Sequence, residues 1–273
     1  MQETGNNQSV NIHQRLVVRV SQGTLAFAVP DPSAKGQLLF EPYVMKSGIS
    51  VAANLRDAFT SSVLLQRGYQ RALVMTDAKP MMLPVDEYAD DDVATLYEYA
   101  FTKKENEMLV HTVLPDLNTV AVFALNKDLH QVFADHFSDL RVEPLMLPVW
   151  TYLHRRSFSG AGRKLYAYFH ENVLEVFCFL QNRFRFYNRF EVGNPHDAVF
   201  FLLYVWKQLR LQPEYDELHI VGEIPDKEWL LAELKKFLQN AYIINPSADF
   251  NRHAITEIKG MPYDLQTLYI KGR

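Results

Sequence analysis

The predicted strands and helices of this 273-residue chain follow an order that occurs twice, and this repeat restricts the fold more than any single motif does. Strands are predicted where apolar residues alternate or form short runs, and helices where they recur every three or four positions. In the second half these patterns predict strands at 164–170, 173–180 and 183–192, a helix at 195–211, a strand at 217–222, a helix after Asp226 and a strand at 241–244. The order is βββαβαβ.

The first half is interpreted as the same order with an inserted segment at about 80–118, which leaves it one predicted strand more than the second half. Its predicted strands are 15–21, 24–30, 38–45, 71–76, 119–126 and 140–146. One helix is predicted between an N-cap at Ser50 and a C-cap at Gly68, and another begins at Asp128. The inserted segment is predicted to hold a hairpin and a helix whose amino terminus is favoured by the acidic residues 90–92.

The repeat predicts two α/β lobes, 14–158 with its insertion and 159–273, with a cleft between them. The small residues Ser159, Gly160, Ala161 and Gly162 stand at the boundary and are typical of a linker or hinge. The pattern leaves the path of 246–273 open, and residues 262–270 suit either a short helix or an edge strand.

A βββαβαβ unit used twice resembles the actin-like ATPase superfamily, which is a duplicated ribonuclease-H-like fold. The phrase RFYNRFEVGNPHDAVFFLLYVWKQLRLQPEYDELHIVGEI, residues 185–224, resembles a family of Bacteroidota proteins of unknown function with that fold. The inserted segment is similar in architecture to that of the pilus-assembly protein PilM and of the cytoplasmic domain of type II secretion protein L. The resemblance implies an actin-like fold over residues 14–245 and brings no established activity.

Composition excludes several classes of protein. Cys178 is the only cysteine, so neither an internal disulfide nor a cysteine-rich zinc site can form. Residues 1–14 lack the basic and then apolar order of a signal peptide, and the longest apolar stretch, 198–206, is far shorter than a membrane span. We therefore expect a cytoplasmic protein with no membrane span. The formal net charge of −4 gives no general attraction to nucleic acid or anionic lipid.

The resemblance to actin-like ATPases implies hairpins in which a glycine lets backbone amides approach a phosphate. In the first half this hairpin contains Ser21, Gly23 and Thr24, but the strand-end aspartate of the family is absent. Gly222 and Glu223 follow the later strand, where the family has paired glycines near the adenosine. These five residues are the predicted nucleotide site, with Mg-ATP as its ligand. The alternative is that both glycines serve only tight turns.

Departures from the family argue against catalysis. The hairpin of the second half reads His170, Glu171 and Asn172 and contains no glycine. Neither first strand carries a carboxylate, which argues against the metal chemistry of a ribonuclease-H nuclease. Consecutive acidic residues at 90–92 point in different directions, so they are interpreted as a helix start. We therefore assign no catalytic residue, no metal ligand and no required cofactor.

Two further sequence features have structural interpretations. The segment SGAGRK lacks the spacing of a dinucleotide-binding or Walker loop, because Leu165 follows Lys164 and a strand follows in place of a helix. Cys178 lies on the apolar face of its strand, where a reactive thiolate is disfavoured. Cys178 is predicted to belong to the core.

The segment RFRFYNRF places Arg183 and Arg185 on one face of a strand and phenylalanines on the other, with Arg189 following. Such a strand is typical of a half-exposed sheet, and its arginines are also a candidate nucleic-acid surface.

Three functions are compatible with these observations. The first is a non-catalytic or weakly nucleotide-responsive scaffold that binds a protein partner, with the insertion as the partner surface. The second is an ATP-binding protein or slow ATPase that uses the predicted nucleotide site. The third is nucleic-acid binding through the arginine-rich strand at 183–190. Nothing in the sequence indicates the oligomeric state.

Overall fold

A computed structural model describes residues 14–31, 33 and 37–270. Its thirteen strands are β1 (Arg15–Val20), β2 (Thr24–Pro30), β3 (Leu38–Val44), β4 (Arg71–Thr76), β5 (Met81–Pro84), β6 (Glu107–Leu114), β7 (Thr119–Asn126), β8 (Asp139–Pro144), β9 (Lys164–His170), β10 (Val173–Leu180), β11 (Arg183–Glu191), β12 (Glu217–Gly222) and β13 (Ala241–Ile243). Its α-helices are α1 (Val51–Ser61), α2 (Val93–Ala100), α3 (Lys127–His136), α4 (Leu147–Ser157), α5 (Pro195–Gln208), α6 (Lys227–Lys235), α7 (Pro246–Asp249) and α8 (Tyr263–Ile270).

Internal contacts divide the chain into two compact units. The first holds the described residues up to Leu114 together with Thr119–Leu147 and Ile258–Gly260. The second holds Pro115–Asn118, Pro148–Glu257 and the described residues from Met261 onward.

The main sheet of the first unit has the order β3-β2-β1-β4-β8. β1 pairs antiparallel with β2 and parallel with β4, and β4 pairs parallel with β8. Alternate residues of these strands, such as Leu16 and Phe27, are fully buried and form a core with apolar residues of α1 and α3, including Leu55 and Phe133. The alternation read from the sequence therefore marks the face that the helices cover.

The inserted segment forms a second sheet in the first unit, with the order β5-β7-β6 and antiparallel pairing throughout. Tyr97 of α2 packs on this sheet against Val120 and Val122. The prediction placed the insertion at 80–118 and assigned 119–126 to the repeated unit. In the structure β7 pairs only with β5 and β6 among the described strands, because the 3₁₀ turn at Pro115–Leu117 folds it back on β6 as a hairpin.

The sheet of the second unit has the order β11-β10-β9-β12-β13, which matches the first main sheet position by position. β9 pairs antiparallel with β10 and parallel with β12. Its core lies under α5 and α6 and includes Cys178, which is 4% exposed. Burial raises the pKa of the Cys178 thiol to about 11, as expected for a core residue. The predicted βββαβαβ order is present in both units.

The other face of the second sheet is packed by a helix that the sequence interpretation missed and by the C-terminal segment. The missed helix is α4, in which Trp150 is fully buried and lies 5.5 Å from the ring of Phe184. From the C-terminal segment, Asp264 accepts a hydrogen bond of 2.7 Å from the Tyr168 hydroxyl. Of the two alternatives left open for 262–270, the structure shows the helix, α8.

One predicted helix end differs from the structure. α1 ends at Ser61 and not at Gly68, because the Glu41 carboxylate accepts hydrogen bonds from the amides of Val63 and Leu64 and draws the backbone out of the helix. Gly68 instead ends the 3₁₀ turn that follows, at φ 72°. Asp226 precedes α6 at φ 40° and makes no side-chain cap hydrogen bond. No helix among the described residues is long and apolar enough to span a membrane.

Candidate functional site

The predicted phosphate turn of the first unit joins β1 to β2. The Ser21 hydroxyl donates to the Thr24 carbonyl at 3.0 Å and lies 2.8 Å from the Thr24 hydroxyl. Ser21 is 4% exposed, so its hydroxyl is committed to the turn. A Cβ atom added to Gly23 would meet nothing within 4 Å, and its φ lies outside the left-handed region. The backbone here does not require glycine.

At the predicted turn of the second unit, in contrast, the backbone does require glycine. Gly222 pairs with Phe169 across β12 and β9, and an added Cβ atom would lie 2.0 Å from the Phe169 carbonyl oxygen. Its φ is +101°, a conformation that side chains rarely adopt. The close approach of two strand ends therefore requires glycine here, whatever ligand is present.

Hydrogen bonds of Glu223 and Glu171 hold this turn together. The Glu223 amide donates to the Phe169 carbonyl at 2.8 Å. One Glu223 carboxylate oxygen accepts a hydrogen bond of 3.3 Å from the amide of Glu171, which holds a φ of 52° in the turn between β9 and β10. A backbone amide of the kind that phosphate-binding turns offer to a ligand is thus occupied by a carboxylate. Glu171 and Glu223 are both acidic, so neither supplies the positive charge that favours phosphate binding.

The five predicted nucleotide-site residues belong to both units. Ser21, Gly23 and Thr24 lie in the first unit, and Gly222 and Glu223 lie in the second. Each group is adjacent within its own turn, and their roles in nucleotide binding stay a prediction.

The arginines of β11 do not form one continuous basic surface. Arg183 and Arg185 are exposed, and Arg185 donates to the Leu209 carbonyl at 3.1 Å. The side chain of Arg189 is only 11% exposed and lies 3.8 Å from the buried Glu175 carboxylate. The nucleic-acid interpretation stays a prediction that rests on the first two arginines.

The segment SGAGRK follows α4, and its lysine is the first residue of β9. Lys164 donates to the main-chain carbonyls of Arg156 and Ser159 and to the Ser159 hydroxyl. A lysine at this position neutralises the partial negative charge of a helix carboxyl terminus. The sequence interpretation of this segment as neither a dinucleotide nor a Walker loop agrees with this geometry.

The sequence interpretation missed a group of polar residues around this lysine. Glu217 and His219 of β12 lie beside Lys164 and Tyr166 of β9, because the parallel register pairs 217 with 164 and 219 with 166. These four side chains line one cavity. The available signal was a run of polar and ionisable residues at alternate positions of two strands that are otherwise apolar.

Comparison with solved structures identifies the fold. A protein of Bacteroides thetaiotaomicron with an actin-like ATPase fold and unknown function is 28% identical, covers 96% of this chain and 97% of its own, and has a TM-score of 0.84. The PilM–PilN type IV pilus biogenesis complex matches at 14% identity over 94% of this chain and 97% of that chain, with a TM-score of 0.54. The cytoplasmic domain of EpsL from Vibrio cholerae matches at 14% identity over 78% of this chain and 83% of its own, with a TM-score of 0.45.

The similarity to the Bacteroides thetaiotaomicron protein confirms the predicted fold class, an actin-like ATPase fold with two sheets in a duplicated arrangement. No curated protein matches the chain. The family model described as "Protein of unknown function (DUF3822)" matches residues 5–241. This match covers most of the sequence, and the chain therefore belongs to the DUF3822 family.

Proposed function

We propose that this chain is a non-catalytic interaction protein that keeps the actin-like fold as a scaffold and has lost productive phosphate binding. The observation that carries the proposal lies in the turn between β9 and β10. There the Glu223 carboxylate accepts a hydrogen bond from the Glu171 amide, which is then not available to a phosphate. Two like charges 4 Å apart repel by about 1 kcal/mol even in bulk water. A polyphosphate brought to this turn would meet two carboxylates.

The scaffold proposal predicts that nucleotides do not stabilise the protein. We expect no change in melting temperature with Mg-ATP, Mg-ADP or a non-hydrolysable analogue at millimolar concentration and constant ionic strength, with magnesium sulfate as the control. A binding protein would be stabilised by about 2.7 kcal/mol at 100 times the dissociation constant, which raises the melting temperature by several degrees. A rise specific to nucleotide would favour the alternative, an ATP-binding protein or slow ATPase.

We assign the partner surface to the inserted sheet and its helix. On α2, Leu96 and Tyr99 are three residues apart and share one face, and they are 40% and 87% exposed. Large apolar side chains this exposed are typical of interaction sites when they stand together. PilM shares this fold and is seen in a complex with PilN, which supports a protein partner by analogy.

Substitution on α2 tests the partner surface. The readout is the amount of partner protein that the chain retains from an extract of its source cells. We expect the double variant Leu96→Glu, Tyr99→Glu to retain at least tenfold less than the wild type. The matched control is Tyr215→Glu, an equally drastic change at a tyrosine that is 75% exposed in the second unit. A second control, Gly23→Val, changes the predicted phosphate turn and is expected to retain the partner. Equal retention by the double variant, or loss with Gly23→Val, would contradict this assignment.

A further inference from the structure

The cavity at the start of β9 and β12 has a volume of about 200 Å³ and lies wholly within the second unit. Its polar lining consists of Arg156, Ser159, Lys164, Tyr166, Glu217 and His219. Lys164 and Glu217 are the first residues of their strands, whereas Gly222 ends β12. The cavity is therefore at the opposite end of the sheet from the predicted nucleotide residues Gly222 and Glu223.

Tyr166 supplies an unused hydrogen-bonding group. The residue is 1% exposed, and its hydroxyl has no hydrogen-bond partner among the residues that the structure describes. A buried hydroxyl left unpaired carries a desolvation cost that a hydrogen-bond acceptor on a ligand would offset. Burial raises the pKa of the Tyr166 phenol, and Arg156 and Glu217 are the charged groups that act on it most strongly. The hydroxyl therefore stays protonated and can donate to a ligand.

Arg156 supplies a positive charge and hydrogen-bond donors that are only partly used. Its Nη1 atom contacts the Asp249 carboxylate at 2.8 Å and the Tyr152 hydroxyl at 3.4 Å. Within the described part of the chain, its Nε and Nη2 atoms make no hydrogen bond. The three N–H groups on Nε and Nη2 are therefore left to donate, and a fork of such donors suits an oxyanion.

The remaining groups set the charge of the cavity. All three donors of Lys164 bind the end of α4, so this lysine contributes charge and holds the loop in place. The Nε2 atom of His219 lies 2.7 Å from the Glu217 carboxylate, and the imidazole ring lies between the rings of Tyr166 and Tyr242. Burial lowers the pKa of His219 despite the opposing effect of Glu217, so the imidazole is neutral. The two cations then stand against the Glu217 carboxylate of the lining and the Asp249 carboxylate that contacts Arg156 from outside it.

The volume limits the size of the ligand. About 200 Å³ is the share of roughly six or seven water molecules and lies below the 300–1,000 Å³ of sites for drug-sized ligands. A small molecule with one anionic group fits this space, and a whole nucleotide does not.

We propose that this cavity binds a small molecule that carries one oxyanion group, with Arg156 and the Tyr166 hydroxyl as the donors to the oxyanion. Glu217 fixes the tautomer of His219 by accepting from Nε2, which leaves Nδ1 to accept a hydrogen bond from the ligand. This site is independent of the proposed partner surface, since the two belong to different units.

The experiment is a titration of the full chain with inorganic phosphate and, separately, with acetate, at one pH and constant ionic strength. The readout is the imidazole NMR signals of His219, assigned by their loss in His219→Gln. We expect a saturable shift with at least one anion. A response to phosphate alone indicates a phosphorylated ligand, and a response to acetate indicates a carboxylate. No saturable shift with either anion would overturn the proposal.

Matched variants separate binding from folding. Tyr166→Phe removes only the unpaired hydroxyl, so we expect an unchanged or higher melting temperature together with an affinity at least tenfold weaker. Arg156→Gln is expected to weaken binding similarly. Its control is Arg155→Gln, because Arg155 is not part of the cavity and its side chain lies 3.5 Å from Asp116. Wild-type affinity in both Tyr166→Phe and Arg156→Gln, or an equal loss in Arg155→Gln, would refute the assignment.

Discussion

Gly222→Ala is expected to lower the free energy of unfolding by about 3–5 kcal/mol, a large effect for one methyl group. The new Cβ atom would lie 2.0 Å from the Phe169 carbonyl oxygen and 2.8 Å from the Tyr168 ring. Backbone movement cannot relieve the contact cheaply, because the adjacent Glu223 amide donates to that same carbonyl at 2.8 Å. The left-handed φ of +101° adds strain for any side chain.

Gly23→Ala is the matched control, and we expect it to change the free energy of unfolding by less than about 0.5 kcal/mol. Nothing lies within 4 Å of its added Cβ atom, and its φ does not require glycine. Urea unfolding followed by circular dichroism measures both variants against the wild type. A loss below about 1 kcal/mol for Gly222→Ala would show that the two strand ends can separate, and the glycine would then need another explanation. The expected result explains this glycine by packing, without reference to a nucleotide.

Local patterns predicted the second unit well because its signals are short-range. The strands β9, β10 and β11 alternate over seven to nine residues and are joined by two-residue turns. α5 begins where expected, since the Asn194 side chain accepts from the amides of His196 and Asp197 and Pro195 occupies the first helical position. A cap of this kind is fully specified by four consecutive residues.

α4 was missed because its beginning carries only one local signal, Pro148 in the first turn. Leu147 follows Leu145 and Met146, with no Ser, Thr, Asp or Asn in an N-cap position. Its helical character is set by burial of Trp150 and Leu153 against other parts of the second unit. β5 was missed for a related reason: four residues are too few to show a period, and the strand exists because it pairs with β7.

The cavity was not predictable from the sequence because its residues come from separate segments. Tyr166 and His219 are brought together by the register of two parallel strands, and Arg156 arrives from the end of α4. Parallel pairing across a helical connection leaves no local mark on either strand. The segment SGAGRK shares glycines and a lysine with phosphate loops, but its lysine binds the end of a helix and borders the cavity.

Asp216→Asn is expected to lower the free energy of unfolding by about 2–4 kcal/mol, because it weakens a buried anchor for the loop before β12. The Asp216 side chain is 5% exposed. Its carboxylate accepts hydrogen bonds from the Arg163 amide at 2.9 Å, from Arg163 Nε at 3.1 Å and Nη2 at 2.6 Å, and from the Gln212 amide at 2.6 Å. An asparagine keeps the size but loses the charge and one acceptor atom, which leaves donors of Arg163 unpaired.

Because the Asp216 carboxylate titrates, the stability lost in Asp216→Asn is expected to depend on pH. Burial raises the pKa of Asp216, but the hydrogen bonds from Arg163 and the Gln212 amide outweigh burial and hold that pKa below its ordinary value. A carboxyl whose pKa is lowered by folding stabilises the protein fully above its unfolded pKa of about 3.9, and this contribution disappears as the pH falls through the folded pKa. We therefore expect the difference between wild type and Asp216→Asn in urea unfolding to be constant near neutrality and to shrink below about pH 4. Asp91→Asn, which removes the same charge from an exposed position, should change stability little at either pH. A deficit of Asp216→Asn that persists unchanged in acid would mean that shape, and not the charge on the carboxylate, holds this loop against Arg163.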